Sequence, residues 1–472
     1  MSNVSTIHPQ YAAVLDTWTD TRSASSGQAV IKRAREKYLP DFVPSDEERY
    51  AKYLQRAYFM GITGRTKQSM IGMIFRKPPV STLPPQIEAL REDIDGSGQS
   101  LEQLAKEAAG NLLDTGRHCF LVDYPRAEPG LSREDESRLA LRPTIASYPA
   151  ESLINWRFEG VKGKQTLTLA VLREVVEKDE NDEFSHDYEI TYRVLRLTDG
   201  VYTQQVYDEA GQPYEEPYIP RQAGGAPFDH IPLHIAGSEN NLPDVDLPPL
   251  FEIAALNIAH YQITADHREN LFVHGQLTLG ITSDMSWEEF QTANPDGVQV
   301  GARRGHYLGP NGGFQTATAP ESGSLRVALQ DLEMQMVALG ARLVQRGGQA
   351  ETAEAARINA SAEASVLDVV TNNLSEAMEA ALEDFALFVG APAASVEYRL
   401  NTEFWESGLQ PQALAAVIQA RQQGLIAPSD ALHMIRSGTI TLRDDRTDED
   451  IQQDVASSLL DEFETGQAEP AQ

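Results

Sequence analysis

Apolar and polar positions alternate most regularly between Leu247 and Gly390, where they predict helix, short β-rich excursion, helix, glycine turn and a long helix. Pro248 and Pro249 suit a first helical turn, where the missing N–H is not needed. Phe251, Ala254, Ile258, Tyr261, Ala265 and Phe272 then recur in steps of three, four and seven until Gly275. Two β-like runs follow, Gln276–Thr282 and Val298–Val300. The next helix carries Leu325, Leu329, Leu332, Met336, Leu339 and Leu343, a 3.5-residue period suited to lengthwise packing against other helices. Gly347 and Gly348 break it. From Glu351 to Val389 there is neither Pro nor Gly, and an unbroken helix there would be roughly 58 Å long. Such periodicity also marks ordinary core helices, but it leaves unexplained why a small β module loops out between two long ones.

Before this stretch the pattern changes twice. Residues 1–115 read as helical: Ser45-Asp-Glu-Glu48 and Ser100-Leu-Glu-Gln103 are capping-box starts, and Pro78-Pro79 and Gly116 are stops. Residues 117–235 read as strands at His118–Tyr124, Thr144–Tyr148, Leu167–Glu177, Tyr188–Leu197 and Tyr202–Tyr207, with Glu177–Glu183 as a hairpin tip. After Gly390 come a strand at Ser395–Leu400 and two short helices, Gln412–Gln423 and Ser429–Arg436. The last stretch, Arg443–Gln472, holds ten acids against two bases and reads as exposed and partly disordered. The expected class is α+β.

Charge narrows the function. Seventy acids against 39 bases give −31, far from the basic footprint of a protein that grips nucleic acid tightly. Lys32, Arg33, Arg35 and Lys37 cluster on one short helix, either as a solvated face or as phosphate contacts. A single cysteine, Cys119, excludes an intramolecular disulfide and reads as a small buried residue on a strand. No apolar run is long enough for a membrane span, and no secretory signal opens the chain, so a reducing, cytosolic setting and no membrane partner are expected.

Catalytic templates fail. Gly61–Ser69 only faintly resembles a phosphate loop: Lys67 lacks the preceding glycine and the following Ser or Thr. His260, His267 and His274 recur every seven residues, about 10.5 Å apart, too far to share one ion. They read instead as a polar stripe facing water or a neighbouring subunit. No enzyme activity, cofactor or metal is expected.

Several segments taken in order carry a resemblance: Tyr53–Tyr58 with Arg76-Lys-Pro-Pro79, Gly116–Pro125, Arg142–Arg157, Leu250–Gly280 and Glu351–Ile358. From about residue 10 to 440 the chain resembles portal proteins of tailed bacteriophages, in the branch catalogued as a domain of unknown function in phages and prophages. The resemblance implies a predominantly helical ring subunit, usually of a dodecamer, around a channel for double-stranded DNA. It implies a wing, helical at 1–116 and β-rich at 117–246, stem helices at 247–274 and 322–344, and a clip at 275–321. A tunnel loop at 345–352, a long wing helix and strand at 353–404, a crown at 405–442 and an acidic tail at 443–472 complete it. The implied partners are further copies of the chain, the DNA, a terminase motor, a head–tail adaptor and the major capsid protein. The implied place is the portal vertex of the virion, after assembly in the host cytoplasm.

Under this resemblance Asp284, Arg303 and Arg304 are candidate clip residues for partner docking. Arg342, Gln345, Arg346, Gly347, Gly348 and Gln349 are candidates for touching DNA at the constriction. An acidic wall suits a sliding polymer, since every phosphate neutralised by a fixed base adds friction. Arg346 is read equally well as a base stabilising the C-terminus of its own helix. The long wing helix lacks the kinking Gly or Pro that such a helix would be expected to carry. Two rival readings remain: an acidic adaptor or scaffold without a channel, and a nucleic-acid-acting hydrolase with an unfamiliar site.

Overall fold

In the computed structural model the described part of residues 1–115, expected to be helical, is mostly helix but includes one short strand. The structure describes residues 3–41, 46–126, 141–161, 163–178, 184, 186–275, 278–295, 297–298, 306–317, 323–344, 365–404 and 419–420. Contacts divide the chain into Met1–Thr402 and Glu403–Gln472, and the first unit is the one described below.

Helices α1 (Pro9–Ser26), α2 (Gln28–Arg33), α3 (Glu47–Arg56) and α4 (Ile62–Ile74) come first, followed by β1 (Val80–Thr82), α5 (Pro85–Glu88) and α6 (Leu101–Thr115). The cap of α3 is Asp46, one residue beyond the expected Ser45: its carboxylate accepts from the Arg49 N–H at 2.9 Å. A carboxylate satisfies that orphan donor and also suits the positive end of the helix dipole. The capping box of α6 is as expected, Ser100 and Gln103 each accepting from the other's backbone N–H. Gly116 ends α6 in the left-handed region at φ 72°, and a Cβ there would lie 2.7 Å from the Asp246 carbonyl oxygen.

Strand β2 (Arg117–Asp123) is the centre of a three-stranded antiparallel sheet between β3 (Thr144–Pro149) and β8 (Leu233–Gly237). The intervening strands β4 (Leu153–Val161), β5 (Lys164–Glu177), β6 (Tyr188–Thr198) and β7 (Val201–Tyr207) form an antiparallel meander. The hairpin expected around Glu177–Glu183 joins β5 to β6, whereas β4 and β8 were not anticipated. Cys119 is wholly buried on β2, as expected, and burial pushes its thiol up to about 11.

Helix α7 (Phe251–Gly275) follows, then β9 (Thr278–Thr282), α8 (Trp287–Ala293), β10 (Gly313–Ala317), α9 (Gly323–Val344), α10 (Val366–Val389) and β11 (Glu397–Arg399). The single helix expected over 351–389 is corrected: α10 starts at Val366. Ser365 has an extended backbone and closes a capping box with Asp368, so a helix cannot run through it. Leu367, Val370, Leu374, Met378, Leu382 and Phe385 of α10 are fully buried, and α10 packs against α6, β2 and β8. Strand β11 pairs antiparallel with β1, tying the residues after α10 back to the N-terminal third. Both helices and antiparallel sheets are present in quantity, so the α+β class holds.

Candidate functional site

The helix pair α7–α9 and the module between them are the part of the molecule whose order was hardest to explain as plain core. One flank of helix α7 is anchored on the N-terminal helices. Ala254, Tyr261 and Ala265 join the apolar cluster of Tyr38, Tyr50, Tyr53 and Phe59. Asn257 is fully buried: its side-chain oxygen accepts from the Thr63 N–H and hydroxyl, and its amide donates to the Met60 carbonyl at 2.7 Å. With both ends of the amide satisfied, this polar residue fixes the register of α7 against α4. Tyr53 donates to Asp266, and Arg56 pairs with Glu269 while its guanidinium lies over the Phe272 ring. Phe272 is therefore exposed and covered by a cation, although it continues the apolar series.

On its other side α7 meets α9. The expected series Leu325, Leu329, Leu332, Met336 and Leu339 is the inward face of α9, with Met336 almost wholly buried. The histidine stripe needs correction. His260 is buried at this seam, 3.3 Å from Glu333 Oε1 and from the Thr264 hydroxyl, so it does not face water. The outward face of α9 presents Val327, Met334 and Val337, more than half exposed. Leu271, Phe272 and Val273, near the end of α7, are also exposed.

The module is a two-stranded antiparallel ribbon, β9 with β10, carrying α8. The expected strand at Val298–Val300 is not the partner of β9; Gly313–Ala317 is, and 299–300 lie outside the described residues. Ser286 and Glu289 form a capping box that starts α8, and Asn294 locks its end by donating to the Phe290 and Tyr307 carbonyls. Trp287, Tyr307, Phe314 and Ile281 are exposed. This module thus shows aromatic and aliphatic surface to solvent on a frame held by polar contacts.

Asp284 is exposed at the end of β9, and Asn311 donates to its carboxylate at 3.2 Å. A Cβ on Gly309, at φ 90°, would lie 2.1 Å from the same carboxylate, so Asp284 also supports the turn. Arg342 lies in the last turn of α9. Arg303, Arg304, Gln345, Arg346, Gly347, Gly348 and Gln349 lie outside the described residues, as do nearly all of 405–442 and the whole of 443–472. Of the basic cluster near the N-terminus, Lys32 donates to the Gln55 carbonyl, Arg35 pairs with Glu47 and Lys37 with Asp20. Lys67 of the phosphate-loop-like segment is in mid-α4 and bonds Asp114 at 2.6 Å, a structural role.

A third cluster had no signal in the sequence. Asp384 of α10, 7% exposed in its side chain, lies 2.9 Å from His230 Nε2 and 2.7 Å from His234 Nε2. Its own burial opposes ionisation, yet the hydrogen bonds from the two imidazoles hold its carboxyl down to about 2. The hydrogen bond to Asp384 raises His230 to about 9, with Asp229 3.0 Å from its other nitrogen. The residues are about 150 apart in sequence, so no local spacing could reveal the pairing. Among the described residues no group is arranged to hold a metal ion, and no helix is long and apolar enough to cross a membrane.

Known proteins resemble this chain in part. A family model described as a domain of unknown function (DUF4055) matches residues 249–389, which span the helix pair, the module and α10. No curated protein matches the chain. Among solved structures, a chain of "Virion of native gene transfer agent (GTA) particle" is 15% identical, covering 82% of this chain and 93% of its own, with a TM-score of 0.41. A chain of "Neck of native GTA particle computed with C12 symmetry" is also 15% identical, covering 80% and 89%, with a TM-score of 0.40.

Proposed function

We propose that this chain is a structural subunit of a phage-type head–neck assembly, and specifically a portal protein. Copies would form a closed ring, a dodecamer by the resemblance, around a channel for double-stranded DNA at one vertex of the capsid. The observation that carries this reading is the one-sided helix pair. Helices α7 and α9 bury one face each within the chain, while Val327, Met334 and Val337 are left exposed along α9. Aligned apolar surface on a rigid helix in a single copy calls for further copies to cover it.

In this reading α7 and α9 are the stem, and the module from 275 to 321 is the clip. Its exposed aromatics and Asp284, with Arg303 and Arg304, would meet a packaging motor and later a head–tail adaptor. Residues 345–352 would be the tunnel loop, with Arg342 and Arg346 making sparse contacts to passing DNA. The net charge of −31 per chain supports it, because an acidic wall offers phosphates no deep well. The chain would be non-catalytic and would depend on a separate ATPase.

Electron microscopy of the purified protein is the test. Closed rings with a central hole are expected; small or open assemblies would favour the acidic adaptor, and metal-dependent hydrolysis of DNA or ATP would favour an enzyme. Arg346→Ala is expected to form rings but to alter DNA packaging or retention, and wild-type packaging would remove that residue's assigned role.

A further inference from the structure

A cavity of ≈ 490 Å³ opens where the end of β2 meets the edge of β7, away from the helix pair. Its far wall is a strap, residues 213–218, folded back along β7: Tyr214 donates its N–H to the Val206 carbonyl, and Tyr218 and Gln204 exchange both backbone hydrogen bonds. Gln205 also holds the Glu215 carbonyl at 2.8 Å. The cavity is therefore built by a hydrogen-bonded frame, and its volume is that of a small-molecule site.

The floor is Asp123, and its two oxygens are unequally satisfied. Oδ1 accepts from the Tyr124 N–H and from Gln204, both at 2.9 Å. Oδ2 faces Arg193 at 3.4 Å, but that guanidinium is engaged closer by, at 2.7 Å, with Glu174. One arginine thus serves two carboxylates. Burial, which the Arg193 charge opposes, raises the Asp123 carboxyl above its usual range.

The walls supply what a cation uses. Tyr124, Tyr214 and Tyr218 line the cavity with Glu216 beside them. The Arg126 guanidinium already lies 5.9 Å from the Tyr218 ring centroid while paired with Glu215, so this wall accepts positive charge over an aromatic face. We propose that this cavity binds a small organic cation, an aliphatic amine or diamine, with a nitrogen on Asp123 Oδ2 and its chain against the tyrosine rings. This assignment is independent of the portal reading.

Calorimetric titration of the full chain with 1,4-diaminobutane tests it, in about 0.15 M salt to screen diffuse attraction to an acidic protein. One saturable site per chain is expected, with no saturable heat from the neutral 1,4-butanediol. Asp123→Asn should weaken binding about tenfold or more, the loss of a charge-assisted hydrogen bond. Tyr214→Ala, at a half-exposed ring, should weaken it several-fold with unfolding temperature unchanged. No saturable heat up to about 10 mM diamine, weaker than any useful affinity, would overturn the proposal. So would equal affinity in wild type and both variants.

Discussion

Replacing Asp384 by Asn removes one charge from a carboxylate that serves two imidazoles, and the structure sets both the size and the pH window of the effect. His230 and His234 sit just before and on β8, and Asp384 sits near the end of α10, so the cluster clasps helix to sheet. Lowering a buried carboxyl from 3.8 to about 2 corresponds to about 2 kcal/mol of stability. Raising His230 from 6.5 to about 9 gives a larger figure, about 3 kcal/mol before screening. The His230 side chain is 36% exposed, so water reduces that value, and the two shifts describe one interaction and do not add. The buried carboxylate therefore sets the magnitude.

The signs differ for the two partners. The depressed Asp384 contributes fully above pH 3.8 and loses its contribution as pH falls towards 2. The raised His230 contributes fully below pH 6.5 and loses its contribution as pH rises through about 9. Asp229 beside His230 reinforces protonation of that imidazole, while on α10 burial and then the charges of Glu379 and Asp384 raise the Glu383 carboxyl. Wild type should exceed Asp384→Asn by about 2 kcal/mol between pH 4 and 6.5, measured as amide-exchange protection of the last turns of α10. The difference should shrink above pH 9. Histidine NMR should show His230 titrating near 9 in wild type and close to 6.5 in the variant. A protection difference that is flat from pH 5 to 10, or an unshifted His230 in wild type, would refute the reasoning.

Three further perturbations follow from the packing. Gly237→Ala places a Cβ 1.9 Å from the Asn240 carbonyl and 2.6 Å from Asp246, so a loss of several kcal/mol or failure to fold is expected in thermal unfolding. Cys119, buried with its thiol raised to about 11, should resist maleimide at pH 7.5 in the folded chain and react promptly once unfolded. Met334→Glu with Val337→Glu changes exposed positions of α9, so circular dichroism should match wild type while assembly by light scattering is lost; unchanged assembly would exclude that face as a contact between copies.

Local signals were legible wherever a residue's own neighbours determine its conformation. The Ser100–Gln103 box, the Gly116 stop and the inward series on α9 depend on contacts within a few residues, and each appears where the pattern places it. The break at Ser365 was hidden because a Pro- and Gly-free, Ala-rich run has high helix propensity throughout, and a capping box inside it competes without leaving a gap. Strand β8 was missed because Leu233–Gly237 is short and gains its partner, β2, from more than a hundred residues away. The His230–Asp384–His234 clasp and the cavity on Asp123 share that property. Chemistry assembled across a fold has no period to read.

The two faces of α9 bear on whether copies of such an acidic chain could associate as proposed. Like charge on every copy opposes association, and screening at physiological salt confines that repulsion to neighbours within about 8 Å. Along α9 the exposed outward positions include Val327, Met334 and Val337 around Asp331, so a contact between copies on this face would bury hydrocarbon beside that carboxylate. Glu333 on the inward side is held beside buried His260, which keeps its carboxylate on the seam with α7.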